Sequence, residues 1–236
     1  MNRIRTIARR EFTAYFRSPI AYIYLVAFLV LTHWLFFRAF FLIGEADLRS
    51  FFLLMPWIYL FFIPAVAMGK WAEERKTGTI EFLFTLPVRD GEIVCAKFLA
   101  GLGLVAVAVA GTAALPLTAA WLGDPDWGPL IGGYCGLLFM GGAYLAIGLA
   151  VSSVTENQIV AFICAVVACF ILLVIGEPVV TTNVPAALAP LLQSLGLSAH
   201  FASIGRGVID SRDLIYYLSV IGLFLWWNYR IIRRRR

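Results

Sequence analysis

Charge is what this sequence has least of. Only 14% of its 236 residues are charged, against about 25% in an ordinary soluble domain, and 61% are hydrophobic. Metal ligands are equally scarce. The two histidines, His33 and His200, lie far apart, and no HExxH or paired-cysteine motif accompanies them. The four cysteines, Cys95, Cys135, Cys164 and Cys169, fall in or beside apolar runs without a CxxC, which reads as small core residues. A nucleotide loop is missing too. "MGK" at 68–70 lacks both the first glycine and the following Ser or Thr of G-x-x-x-x-G-K-[ST]. No cofactor site is expected in the chain.

The apolar runs carry almost no ionisable group at mid-depth. Glu156 and Glu177 flank the fifth run, and Arg38 closes the first. An ion-coupled carrier is expected to bury a carboxylate in a span. Without one, the energy for any transport must come from elsewhere.

Long apolar runs are what the sequence does have. A spanning helix needs roughly 20 apolar residues. Six segments fit: 20–38, 51–70, 96–122, 129–151, 158–177 and the shorter 213–230, where Arg212 and Arg230 can snorkel. The expected fold is an all-α membrane protein of six transmembrane helices in a single domain, 1–236. Segment 1–18 reads as an interfacial helix, with Ile4, Ala8, Phe12 and Tyr15 on one face and Arg3, Arg10 and Arg17 on another. Segment 178–212 is too apolar for a free loop and too broken by Pro178, Pro185 and Pro190 for a span. It reads as an external re-entrant helical segment.

Sidedness follows from Lys and Arg. With six spans both termini share a side. That side holds Arg3, Arg5, Arg9, Arg10 and Arg17, then Lys70, Arg75, Lys76, Arg89 and Lys97, then Arg230 and 233–236. Both termini are therefore expected in the cytoplasm, and the net charge of +5 is a topology signal, with no nucleic-acid partner implied. No cleaved signal peptide is expected, since "FFRAF" after the first run offers no small-residue cleavage site.

Between spans two and three lies 71–92, charged at its start and apolar at its centre. Thr77-Gly78 is a helix stop, Thr79 a candidate cap and Glu81 a favourable first-turn acid. Ile80, Leu83 and Phe84 fall on one face, and Leu86-Pro87 ends the helix. This predicts a short cytosolic helix whose apolar face either folds onto the membrane surface or docks into a partner. Span four carries Gly132, Gly136 and Gly141, which suit either packing within the subunit or a dimer seam or translocation path. In "GLSAH", Ser198 stands two residues from His200, the one hint of an intramembrane hydrolase. Adjacent loop residues rarely pair as nucleophile and base, and Ala199 replaces the last glycine of a GxSG motif.

The stretch "EERKTGTIEFLFTLPVRDGEIVCAK" resembles the signature of type-2 ABC exporter permeases, E-x-x-x-G-T-x-E-x-L-x-x-x-P-V-x-x-x-E-I-x-x-x-K, through Glu74, Gly78, Thr79, Glu81, Leu83, Pro87, Val88, Glu92, Ile93 and Lys97. "HFASIGRGVIDSRDLIYYL" is similar to the small gliding-motility-type branch. The resemblance implies an inner-membrane permease that catalyses nothing itself. It pairs with a second permease copy or a related permease, and with two copies of an ABC ATPase that binds ATP and Mg. It leaves room for a periplasmic or accessory subunit. It assigns ATPase coupling to Glu73, Glu74, Arg75, Gly78, Thr79, Glu81, Phe82, Leu83 and Pro87, with Ser153 and Glu156 as a second contact. A membrane scaffold that recruits a cytosolic partner without transport is the alternative.

Overall fold

A computed structural model describes residues 2–43, 48–81, 88–185, 187–207 and 210–234, and those residues contain helices and no strand. Helix α1 is Asn2–Arg17 and α2 is Pro19–Ile43. Then come α3 (Arg49–Ala67), α4 (Gly69–Lys76), α5 (Asp90–Gly111) and α6 (Ala114–Leu122). The longest is α7, Trp127–Ser152, followed by α8, Gln158–Val174. Three short helices, α9 (Pro178–Thr181), α10 (Ala189–Leu195) and α11 (Leu197–Ile204), precede α12, Ser211–Arg234.

Four segments are long and apolar enough to cross a membrane: Pro19–Arg38, Arg49–Lys76, Asp90–Leu122 and Trp127–Ser152. Helix α8 is apolar but has 17 residues. The protein is a multi-pass, all-helical membrane protein. Helix α7 is its centre and packs on α3, α5, α8, α11 and α12. Helix α2 stays peripheral, with Ile20, Ile23, Val26, Val30 and Trp34 exposed along its length.

Two of the apolar segments are broken by identifiable causes. Between α5 and α6, Pro116 has no N–H to give the Thr112 carbonyl. The hydroxyl of Tyr134, on α7, donates to that carbonyl at 3.0 Å instead, and Leu115 N–H reaches it at 2.9 Å. The expected uninterrupted helix 96–122 is thus a helix with a corrected break. Between α3 and α4, the Ser152 hydroxyl sits in the ladder. It donates to the Met68 carbonyl at 2.7 Å and accepts from Ala72 N–H at 3.3 Å, the two groups an unbroken helix would join to each other.

The apolar face predicted for α1 is real, but it lies on α5 of the same chain. Ile4, Ala8, Phe12 and Tyr15 are half-buried there. Gly132, Gly136 and Gly141 also face the chain itself. A Cβ on Gly132 would stand 2.6 Å from the Ile204 carbonyl oxygen. On Gly136 it would meet the Phe201 ring at 3.2 Å, and on Gly141 the Val105 side chain at 2.9 Å. All three are buried in packing within the subunit.

The backbone contact at Gly132 sets a test. Gly132→Ala is expected to cost about 1–3 kcal/mol, because a carbonyl cannot rotate away as a side chain can. Gly222→Ala, with open space around its Cβ, is expected to be neutral or stabilising through helix propensity. Thermal unfolding of the two variants in detergent separates them; equal midpoints would refute the close approach.

Candidate functional site

The end of the bundle where α1, α4 and the start of α5 meet collects charge that the spans exclude. Lys97, on the second turn of α5, is 1% exposed. Its ammonium donates to the Glu74 carboxylate of α4 and, at 3.2 Å, to the Lys70 carbonyl. It also stands 4.8 Å from the centre of the Trp71 ring. Glu11 of α1 lies 3.9 Å from it. The other oxygen of Glu11 is 3.6 Å from the Lys70 ammonium, which rests 3.6 Å over the Tyr15 ring. Two carboxylates thus meet two ammoniums, and the cluster is neutral. It joins three helices that share no sequence neighbourhood. Desolvation, with the Glu11 charge and Tyr24 adding to it, pushes the Tyr15 hydroxyl well above a tyrosine's ordinary pKa, so it stays neutral.

Helix α4 is fixed from a fourth side by Ser152, which also accepts from Trp71 N–H at 3.2 Å. The helix then stops as its residues dictate. Gly78 has φ +71°, a left-handed conformation that favours glycine. Thr77 N–H returns to the Glu73 carbonyl at 2.9 Å and Gly78 N–H to that of Arg75 at 3.0 Å. The Thr79 hydroxyl turns back to the Glu74 carbonyl at 3.3 Å, and the Gly78 carbonyl accepts from Glu81 N–H, at 3.4 Å. Helix α5 begins at Asp90, with Glu92 accepting from Arg89 N–H at 3.0 Å.

The predicted coupling residues therefore divide. Glu73, Gly78, Thr79 and Glu81 are exposed together at the tip of α4 and the turn after it. Glu74 points inward to Lys97, and Arg75 is half-buried. Phe82, Leu83 and Pro87 lie outside the described residues. Ile80 and Val88, on either side of them, pack against the protein's own core. In the turn after α7, Glu156 is exposed. Ser153, in contrast, is fully buried and gives its hydroxyl to the Ala150 carbonyl at 2.6 Å, so it is not a surface contact. Its neighbour Ser152 is the one of the pair that bonds another helix, through the Met68 carbonyl and Trp71 N–H.

Sequence reasoning missed Glu11, Lys70 and Ser152 as site residues and left Lys97 as one match in a motif. One signal was present for Glu11: it falls between Ala8 and Phe12 on the apolar face of α1, where an unpaired acid would be costly.

The serine–histidine hint dissolves. Ser198 donates to the Leu173 carbonyl at 2.9 Å. His200 is engaged at both ring nitrogens, by Asp213 at 2.6 Å and the Ser194 carbonyl at 3.1 Å, and its ring stacks on Tyr216. These contacts tie the segment after α8 to the start of α12 and leave no nucleophile–base pair.

The chain matches the family described as ABC-2 family transporter protein over residues 5–219, and it belongs to that family. No curated protein matches it. It is accordingly a permease subunit of the ABC transporter class, whose family implies a separate ABC ATPase subunit.

The buried cluster makes a sharp prediction. Lys97→Met leaves Glu74 buried without its main partner and is expected to lower stability by about 3–5 kcal/mol. Lys97→Met with Glu74→Leu removes both charges and is expected to recover most of that loss. Thermal or denaturant unfolding in detergent reads both. A double variant no more stable than the single one would show that the pair is not the stabilising unit.

Proposed function

We propose that this chain is the permease of an ATP-driven exporter in the bacterial inner membrane, coupled to its ATPase through the tip of α4 and the turn that follows. In this reading α8 and α12 complete six spans. At about 1.5 Å per residue, their 17 and 24 residues extend about 26 and 36 Å. Both termini then face the cytoplasm. Helices α9 to α11 form the external re-entrant segment. The permease works as a dimer, with a second copy or a related permease, and each copy meets one of two ATPase subunits that hold ATP and Mg. The gliding-motility-type resemblance fits the same scheme.

One observation carries the coupling assignment. The exposed edge Glu73–Gly78–Thr79–Glu81 is the outer end of a helix whose inner face is bonded to α1, α5 and α7. A partner that pushes on that edge moves three other helices through short polar contacts. Glu156, exposed in the turn after α7, is suited to a second contact. The residues 82–87 would complete the docking surface.

The test is reconstitution with the cognate ATPase. Glu81→Arg and Gly78→Pro are expected to insert normally and still bind lipid, yet to lower permease-stimulated ATP hydrolysis and export by about tenfold or more, as expected for loss of a charged contact. Normal export by both variants would sink the coupling assignment. Recruitment of the ATPase with no change in its turnover would favour the scaffold reading instead.

A further inference from the structure

A cavity of about 540 Å³ opens beside the charged cluster, between the α1–α2 elbow, the α3–α4 junction and the start of α8. That volume is within the range of about 300–1,000 Å³ typical of small-molecule sites. Its lining is divided. Tyr24, Ala65, Val66 and Leu104 form an apolar half, and Ile20, which is 73% exposed, stands at its edge. Lys70, Glu73, Thr79 and Gln158 belong to the polar half.

The charges in the polar half do not cancel. Three carboxylates line the cavity, Glu11, Glu73 and Glu74. Lys70 and the buried Lys97 answer Glu11 and Glu74. Glu73 is left over, exposed, one helical turn from Lys70, so an anion and a cation stand side by side on α4 at the usual i, i+3 separation of about 5–6 Å. Tyr15 belongs to the same wall, and its buried hydroxyl has no hydrogen-bond partner among the described residues.

We propose that this cavity binds the headgroup and upper chain of an aminophospholipid, phosphatidylethanolamine, from the cytoplasmic leaflet. The primary ammonium would sit on Glu73 and the phosphodiester beside Lys70, with an acyl chain leaving along Tyr24 and Val66. An amine that can donate hydrogen bonds satisfies the surplus carboxylate. A quaternary choline donates none, and a glycerol headgroup adds an anion without a cation. A soluble amine would leave the apolar half uncovered. The leaflet rests on the orientation proposed above, and the cavity shares Glu73 and Thr79 with the coupling edge; Glu81, outside the cavity lining, separates the two, because Glu81→Arg is expected to leave lipid retention intact.

The experiment uses the full chain in nanodiscs of equal parts phosphatidylethanolamine, phosphatidylcholine and phosphatidylglycerol, released into the mass spectrometer with bound lipid. One phosphatidylethanolamine is expected to remain, favoured about tenfold over the other two, as a charge-assisted hydrogen bond implies. Glu73→Gln, isosteric and on the surface, is expected to abolish that preference. Ala65→Trp is expected to remove bound lipid of every kind by filling the apolar half. Three results would overturn the proposal: equal retention of phosphatidylglycerol, an unchanged preference in Glu73→Gln, or a photo-crosslinker at Ala14 that joins two chains while no lipid is retained. The last would mean that a second copy covers the cavity.

Discussion

The end of the bundle where α1, α4 and α5 meet depends on one buried ammonium. Lys97 sits at the base of α5 with essentially no exposure. An isolated charge there would be prohibitive. It is tolerated because its donors find the Glu74 carboxylate and the Lys70 carbonyl, with the Trp71 ring face beside them. Those three partners all belong to α4, so the requirement to satisfy Lys97 fixes where α4 must run. Glu11 then brings α1 to the same point through Lys70 and Lys97. Burial of this kind is weak evidence for stability, since well-packed apolar residues often do as well. What it supplies is a fixed register between three helices whose apolar surfaces alone would allow sliding.

A second constraint acts deeper, on the backbone. In lipid every carbonyl needs a partner inside the protein. Each break in a spanning segment is accordingly closed by a hydroxyl from α7. Tyr134 meets the carbonyl freed at Thr112, and Ser152 meets the one at Met68. Both donors come from the most buried helix, so these two irregular points are held from the centre of the bundle. Glycines on α7 serve the same end, since they let α3, α5 and α11 come close enough for such contacts to form.

Much of this was legible from residue runs, and the limits have physical reasons. The four long apolar helices follow from run length against bilayer thickness. The glycine stop at Gly78 follows from chain geometry. The start of α5 at Asp90 follows from acids that favour a helix N-terminus. What could not be read is anything that depends on which helix meets which. Ser152 and Ser153 are adjacent and chemically alike, yet one bonds another helix and the other its own, according to the direction in which the end of α7 faces. Lys97 looked like one more cytoplasmic cation, because the sequence does not show that α1 and α4 close over it. The apolar face of α1 was read correctly as a face and assigned to lipid, because a helix cannot tell a bilayer from a neighbouring apolar helix by its own pattern. Only the acid at position 11 distinguishes them: a lipid-facing Glu11 would have no cation, whereas one facing α4 and α5 has two.

These contacts also decide which parts of the chain must move together. Helix α4 is bonded to α1 and α5 by charge and to α7 by a hydroxyl in its own ladder. Tilting α4 as a unit therefore carries α1 and α5 with it, or else exposes a buried ammonium. Among the described residues, helix α2 shows no ion pair or side-chain hydrogen bond to another helix. It is joined to α1 through Ser18-Pro19, packs on α3, and turns a row of large apolar side chains outward. Lipid contacts are non-directional and easily exchanged, while the ion cluster and the Ser152 bonds are directional and short. The chain is thus held by directional polar bonds around α4 and by apolar packing alone along α2. The cavity lies on the boundary between the two, walled by the elbow of α1 and α2 on one side and by α3 and α4 on the other.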